Sequence, residues 1–224
     1  MKYDVALDGP SGSGKTSIGR AVAGELGLPF VDSGLLYRAV TALYVEAFPS
    51  DLVCDIARLV PLLEGGMQYD IVTGVVSYCG GEIRMGLHDP GVDRLVSPVS
   101  AVPEVRRTVN RELVRIAGAQ DVVMAGRDIG TTVLPQAFLK VFITADPVVR
   151  AGRRVAQLAA DGVGASIEDV LANIRLRDTI DSSRQDSPLR CTEEYLLVDN
   201  SVDGSRAVVD TILAEYRRRR SHAV

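Results

Sequence analysis

The sequence predicts an α/β fold built around a parallel sheet, and three observations carry that reading. Short apolar runs alternate with helical patterns along most of the 224 residues. The first run ends in a glycine-rich turn that opens directly into an amphipathic helix. One stretch, from about Glu64 to Gly91, breaks the alternation with a hairpin pattern of its own.

Taken in order, Tyr3 to Leu7 alternate and then run apolar into Asp8-Gly9-Pro10, a short buried strand ending at a turn. From Lys15 the apolar residues Ile18, Ala21, Val22 and Leu26 fall at helical spacing, and Gly27 followed by Pro29 stops that helix. A strand over Pro29 to Val31 ends at Asp32, and a helix over about Leu35 to Phe48 is closed by Pro49. Within the break, 67–72 and 75–78 read as a small antiparallel hairpin with Thr73-Gly74 as its turn. Later strands are expected at Asp121 to Met124, Leu139 to Thr144 and Tyr195 to Val198. Helical patterns cover Pro103 to Ala117, Pro147 to Ala160, Ile167 to Ser183 and Gly204 to Arg219. Strand, helix, strand, helix is the grammar of a parallel sheet with helices on both faces. The chain holds no internal repeat and no low-complexity segment.

Composition narrows the function classes. A chain of this length suits one domain with a decoration or two small ones, and buries roughly 70–75% of its unfolded surface. Lys and Arg number 25 against 29 Asp and Glu, a net charge of −4, which argues against a nucleic-acid-binding domain. The three cysteines, Cys54, Cys79 and Cys191, are widely spaced and form no CxxC, which excludes a disulfide scaffold and a Cys-rich zinc site. With only His88 and His222, a His-based metal site is not expected. The N-terminal apolar stretch is too short for a signal peptide, and no uncharged apolar run approaches the ~18 residues of a membrane span. The expectation is a cytoplasmic protein, monomeric by default, with no membrane or nucleic-acid partner. Arg217 to Arg220 end the last helix, where cations suit the negative end of the dipole.

Gly9-Pro10-Ser11-Gly12-Ser13-Gly14-Lys15-Thr16 fits GxxxxGK[ST] in full. The glycines let backbone N–H groups wrap a phosphate chain that a Cβ would obstruct. Lys15 supplies charge to the terminal phosphates, Thr16 can ligate Mg²⁺ through its hydroxyl, and the following helix adds its N-terminal dipole. A chance match in a chain this long is on the order of one per cent. The dinucleotide pattern GxGxxG cannot be drawn through these glycines. A GTPase would want an NKxD segment, which is absent, and Asp161-Gly162-Val163-Gly164 matches DxxG at a place late in the chain where it has no such role. A small-molecule kinase and an ATPase-driven switch remain.

Arginine placement bears on that choice. Arg38 follows Asp32-Ser33-Gly34 early in the second helix, Arg106 and Arg107 follow the hairpin region, and Arg127-Asp128 end a strand, where open α/β sheets place ligands. Arg150, Arg153 and Arg154 form one group in sequence, and Arg175, Arg177 and Arg184 another. A transferred phosphoryl spreads negative charge over its oxygens and calls for several cations, and guanidinium forks also bind an acceptor phosphate. No His, Cys or Glu is arranged as a general base. An acceptor that is itself a phosphate anion needs none.

The segments Asp8 to Lys15, Asp32-Ser33-Gly34 with Tyr37-Arg38, Val99-Ser100-Ala101 with Pro103 and Val105-Arg106, Gly126-Arg127-Asp128-Ile129-Gly130-Thr131, and Arg177-Asp178 leading to Asp181-Ser182-Ser183-Arg184 and Ser187-Pro188-Leu189 together resemble the bacterial cytidylate kinases. The resemblance spans about residues 3 to 215 and is weakest over 39 to 82. It implies a P-loop NTPase three-layer core with a five-stranded parallel sheet, residues 1–63 and 96–224, carrying a nucleoside-monophosphate-binding insertion over 64–95 and a short lid near 150–166. It implies transfer of the γ-phosphoryl of ATP to CMP or dCMP, with Mg²⁺ held through Thr16. Gly9, Pro10, Ser11, Gly12, Ser13, Gly14, Lys15, Thr16 and Ser17 would hold ATP. Ser33, Arg38, Arg127 and Arg184 would hold the acceptor phosphate, and Arg177 with Asp181 the sugar. Ser97 (or Ser100, three residues on), Arg106 and Asp128 would meet the cytosine. Lys15, Arg127, Arg153 and Arg184 would stabilise the transferring charge. The rivals are another small acceptor, such as UMP, AMP or a shikimate-like alcohol, and a non-catalytic nucleotide switch.

Overall fold

In the computed structural model, which describes residues 2–83, 86–87, 89–160, 162–202 and 205–222, the chain divides into two compact units. One comprises Met1–Phe30 with Val122–Val224, the other Val31–Asp121. Arg84, Met85 and His88, the Asp161 of the DxxG spacing and the expected helix start at Gly204 lie outside the described residues. In chain order the first half contains β1 (Val5–Asp8), α1 (Lys15–Leu26), β2 (Phe30–Asp32), α2 (Ser33–Ala47), α3 (Ile56–Leu62), β3 (Met67–Tyr69), β4 (Val76–Tyr78), β5 (Gly81–Glu82), α4 (Pro90–Ser100) and α5 (Pro103–Ala119). Then follow β6 (Val123–Gly126), a π-helical turn (Ile129–Val133), β7 (Leu139–Thr144), α6 (Pro147–Ala160), α7 (Ile167–Ser183), β8 (Leu196–Asp199) and α8 (Ser205–His222).

The larger sheet has the five strands that the alternation predicts, and they lie in the order β2-β6-β1-β7-β8. β1 pairs in parallel with β6 and with β7, and β7 with β8; Val5 lies opposite Val123 on one side and Leu139 on the other. Every residue of β1 and β6 is buried, which is why these strands read as continuous apolar runs rather than alternating ones. The core of this unit joins Val5, Leu7, Val141 and Ile143 of the sheet to Ile18 and Val22 of α1 and Val209, Ile212 and Leu213 of α8. A smaller cluster, Ala151, Val170 and Ile174, seals α6 against α7.

Four strands begin and end one or two residues later than hydropathy predicts, at Val5–Asp8, Phe30–Asp32, Val123–Gly126 and Leu196–Asp199. The parallel ladder continues past the apolar run, pairing Asp8 with Gly126 and Thr144 with Asp199. Burial pattern alone truncates a strand where its residues become polar.

In the second unit the expected hairpin is a three-stranded antiparallel sheet, β3-β4-β5, with shorter strands than 67–72 and 75–78. Asp70 causes the shortening. Its Oδ1 accepts from the Val72 and Thr73 N–H groups while the Gly74 N–H donates to its carbonyl, which curls residues 70–74 into a turn. Val72, expected in a strand, is 90% exposed there. Two helices were not anticipated. α4 starts as a proline-led helix should, with Pro90 in its first turn and Asp89 accepting from the Gly91 N–H, but Pro98 inside it masks the pattern. α3 is only seven residues long and contains Pro61. The expected insertion, 64–95, falls within this unit. Within it, buried Glu112 of α5 accepts from the Tyr69 N–H at 2.7 Å and binds Arg115, fastening β3 to α5.

Candidate active site

β1 delivers the chain to the glycine-rich loop at the C-terminal edge of the sheet. Gly12 (φ +75°) and Gly14 (φ +95°) adopt backbone that L side chains rarely take. At Gly9 the demand is steric, since a Cβ would lie 2.0 Å from the Ile143 carbonyl oxygen. Gly14 caps α1 and brings no side-chain acceptor of its own to the helix start, where the dipole suits an anion. Lys15 is buried, with Nζ donating to the Pro10 carbonyl at 2.6 Å and to Ser13 Oγ at 3.4 Å, a position inside the loop it would serve. Ser17 donates to the Gly14 carbonyl, and Thr16 stands exposed on the same first turn.

Beside it in the same unit, β6 ends at Gly126 and projects Arg127 and Asp128. Arg127 Nε donates to Asp181 Oδ2 at 2.8 Å. Arg184 Nη2 reaches Asp128 Oδ1 at 3.3 Å, Arg184 Nη1 lies 3.7 Å from Asp181 Oδ1, and its Nε donates to the Ser187 carbonyl. Asp128 and Asp181 are buried, and the Arg184 side chain is 5% exposed. Burial works to raise the Asp181 carboxyl, but Arg127, Arg184 and Arg177 outweigh it and hold the group below the usual carboxylate range. Five residues expected to serve one acceptor therefore meet in one ionic network, although 54 residues of sequence separate Arg127 from Asp181.

The arginines grouped in sequence diverge. On α6, Arg150 turns inward to Asp178, Arg153 Nη2 donates to the Asn200 carbonyl at 2.7 Å, and Arg154 bonds Gln157 in its own helix. On α7, Arg175 is exposed, whereas Arg177 lies near Asp181. Residues three apart share a side of a helix and adjacent ones do not, so Arg150 and Arg153 start from one side of α6 and part only through their different partners, whereas Arg154 faces elsewhere.

The second unit holds the remaining expected residues. Ser33 is buried in the first turn of α2, behind the capping bond from the Gly34 N–H to Asp32 Oδ1. Arg38 pairs with Asp93 at 2.7 Å and donates to the Leu87 carbonyl at 2.7 Å. Arg106 is 1% exposed, bonds the Ser100 carbonyl and stacks over Tyr37 at 5.7 Å. Of the two serines weighed for the base, Ser97 is buried and Ser100 donates to the Ser97 carbonyl.

Four participants were given no role in the sequence reading. Asp8 accepts from Tyr195 and from two backbone N–H groups, Asp178 holds Arg150, and Asn200 donates to the Ser13 carbonyl. Asp8 carried a faint signal as a carboxylate at the end of a fully buried strand. Tyr195 and Asn200, at the two ends of β8, carried none. Elsewhere Arg218 and Arg219 both bind Glu215, and Arg220 lies over the Tyr3 ring. All three cysteines are free, with the Cys54 and Cys191 thiols pushed up by burial. Among the described residues no helix is long and apolar enough to cross a membrane, and no cluster of three His, Cys, Asp or Glu is placed to hold a metal.

Comparison with known proteins decides the family. The cytidylate kinase family pattern matches residues 5–218. This chain belongs to the cytidylate kinase family. It is 38% identical over 206 residues to the cytidylate kinase of Parabacteroides distasonis, covering 89% of this chain and 90% of that one. To the cytidylate kinase of Bacteroides fragilis it is 35% identical over 223 residues, covering 97% of each. In fold it resembles an uncharacterized protein from Eubacterium ventriosum, with a TM-score of 0.52 at 11% identity over 96% of this chain and 99% of that one. The cytidylate kinase match takes in both the glycine-rich loop and the Arg127–Asp181–Arg184–Asp128 network.

Proposed function

We propose that this kinase transfers the γ-phosphoryl of ATP to CMP or dCMP, yielding ADP with CDP or dCDP. The observation that carries the reading is family membership over almost the whole chain, joined to a buried arginine–aspartate network beside a phosphate-binding loop. Gly9 to Ser17 bind the ATP phosphates, with Lys15 placed to follow the transferring group. The first turn of α1 suits a Mg²⁺ on those phosphates, and Thr16 would hold it. Bound there, the ion would neutralise developing charge on the phosphate oxygens.

Arg127 and Arg184 receive the acceptor phosphate and, with Lys15 and Arg153, offset charge in the transition state. Ser33 and Arg38 add further contacts to that phosphate. No base is required, because the attacking oxygen is already anionic. Asp128 accepts from the cytosine N4 amine, a donor that uracil lacks, with Ser97 and Arg106 as the other base contacts. Arg177 and Asp181 meet the sugar. Residues 64–95 form the monophosphate-binding insertion, and 150–166 form a lid that excludes water. The setting is pyrimidine nucleotide metabolism in the cytoplasm, the compartment that retains charged nucleotides, with the enzyme acting as a monomer.

The test is ADP production from Mg·ATP with CMP, dCMP, UMP, AMP, GMP and shikimate offered singly. Fast turnover with CMP and dCMP alone is expected. Turnover with another acceptor would overturn the cytosine assignments, and slow hydrolysis indifferent to every acceptor would overturn phosphoryl transfer itself.

A further inference from the structure

Asp8 lies at the end of β1, fully buried, immediately before the glycine-rich loop. Its Oδ1 accepts from the Ile129 N–H at 2.8 Å, and its Oδ2 from the Gly130 N–H at 2.8 Å and the Tyr195 hydroxyl at 2.7 Å. Burial pushes this carboxyl up, against the bonds from Gly130, Tyr195 and Ile129 that favour its charged form. Two of the three donors are backbone N–H groups, which cannot reverse their role, so the site calls for an acceptor on both oxygens.

Those two N–H groups open the π-helical turn Ile129–Val133, and the residue at its cap is Asp128. Normally the cap residue's own side chain satisfies the first N–H groups of a helical turn. Here Asp128 makes no such bond. The capping task is done from another strand by Asp8, and the Asp128 carboxylate points to Arg184 instead. The fit is close, since a Cβ on Gly130 would stand 2.6 Å from the Tyr195 oxygen.

We infer that Asp8, held by Tyr195, is a positioning residue for acceptor recognition: it caps the turn after Asp128 from the base of the phosphate loop and so fixes where Arg127 and Asp128 stand. The inference rests on the reading of Arg127 and Asp128 as acceptor residues. An Asn at position 8 presents an amide where one donor must be accepted. It should tilt the turn and move Asp128 while leaving Gly9 to Lys15 in place.

The experiment measures kcat, the KM for ATP, the KM for CMP and the CMP-over-UMP ratio of kcat/KM for wild type, Asp8→Asn, Tyr195→Phe, Asp128→Ala and the double variant Asp8→Asn/Asp128→Ala. Val209→Ala, a core change in α8, serves as a control of lowered stability. Asp8→Asn is expected to lower kcat at least tenfold and the CMP-over-UMP ratio at least tenfold, with the ATP KM changed less than threefold. Tyr195→Phe should move the same ratio by a smaller factor of two to five. In the double variant the ratio should equal that of Asp128→Ala alone. A merely structural role would make Asp8→Asn behave like Val209→Ala, with the ratio unmoved, and that result overturns the inference. Should Asp8→Asn not fold, an unmoved ratio in Tyr195→Phe overturns it equally. If Asp128→Ala itself leaves the ratio at its wild-type value, the acceptor reading fails, and the inference falls with it.

Discussion

Arg150 grips Asp178 with both prongs of its guanidinium, Nη1 to Oδ1 at 3.1 Å and Nη2 to Oδ2 at 2.6 Å. The same group donates to the Ser11 carbonyl at 3.0 Å and, through Nε, to the Ala145 carbonyl at 2.9 Å. One buried side chain on α6 thus ties together the phosphate loop, the end of β7 and α7.

Removing that tie should loosen the loop. Breaking a buried ion pair by truncating one partner costs about 3–5 kcal/mol, and the lower end applies because water reaches Asp178. Arg150→Ala is expected to lower unfolding stability by about 3 kcal/mol and to raise the Kd for ATP. Urea unfolding and nucleotide titration check both, and unchanged ATP affinity would show that the loop keeps its shape without Ser11 being held.

Arg127→Ala removes a cation from the acceptor side while leaving Gly9 to Lys15 untouched. Arginines that offset transition-state charge in phosphoryl transfer are worth roughly 10³–10⁵ in kcat. A fall of at least about 10³ in kcat is therefore expected, with the ATP Kd close to wild type. Steady-state rates beside equilibrium nucleotide binding decide it, and retained turnover removes Arg127 from the mechanism.

Asp128→Ala should act on selectivity. A site built around a substrate hydrogen bond rejects analogues lacking it by up to about 10⁴–10⁵. Without the carboxylate, discrimination between CMP and UMP should shrink by at least about tenfold, since one paired group carries about 1–3 kcal/mol of base choice. Competing the two monophosphates in one reaction gives the ratio directly.

Asp181 gives a dependence on pH. Its carboxyl sits below the usual range in the folded protein, so the native state binds that proton less readily than the unfolded chain does. The stability it contributes is present above the ordinary aspartate pKa of about 3.9 and is lost as pH falls through the lower native value. Asp8, pushed up, works in the opposite direction, and comparing wild type with Asp181→Asn cancels its effect. The stability gap between the two proteins should be largest near neutral pH and close below pH about 4. Urea unfolding at stepped pH measures it, and a gap that widens in acid would contradict the ionic network.

Much of this was legible in the residues because local chemistry leaves local traces. The glycines of the phosphate loop, the start of α1 at Lys15 and the full spans of β7, α6 and α7 follow from spacing and from Gly and Pro punctuation. What stayed hidden depends on partners distant in sequence. Tyr195 reads as one more strand-edge aromatic until Asp8 is seen across the sheet, 187 residues away. The grouping of Arg150, Arg153 and Arg154 was visible, but their divergence follows from helical direction and from Asp178 and Asn200. The hairpin ended early because Asp70 prefers to bind its own backbone, a competition that hydropathy does not weigh.

The placement of β1 between β6 and β7 has a consequence for how the chain is made. The first strand synthesised is the central one, and its neighbours arrive late: Asp4 meets Val122 only after 118 residues. Closing such a loop costs about 4 kcal/mol of chain entropy beyond a constant. At ribosomal rates β1 waits roughly 6–24 s for its first partner. During that interval a strand that the fold will bury completely stands with both edges open, the condition that favours capture by the wrong strand. The intervening residues Val31–Asp121 form a compact unit of their own, and they can fold while β1 waits. Yield in the cell should therefore respond more to changes in Val5–Leu7 than to equal changes in Leu139 or Val141, whose partner β1 already exists when they emerge.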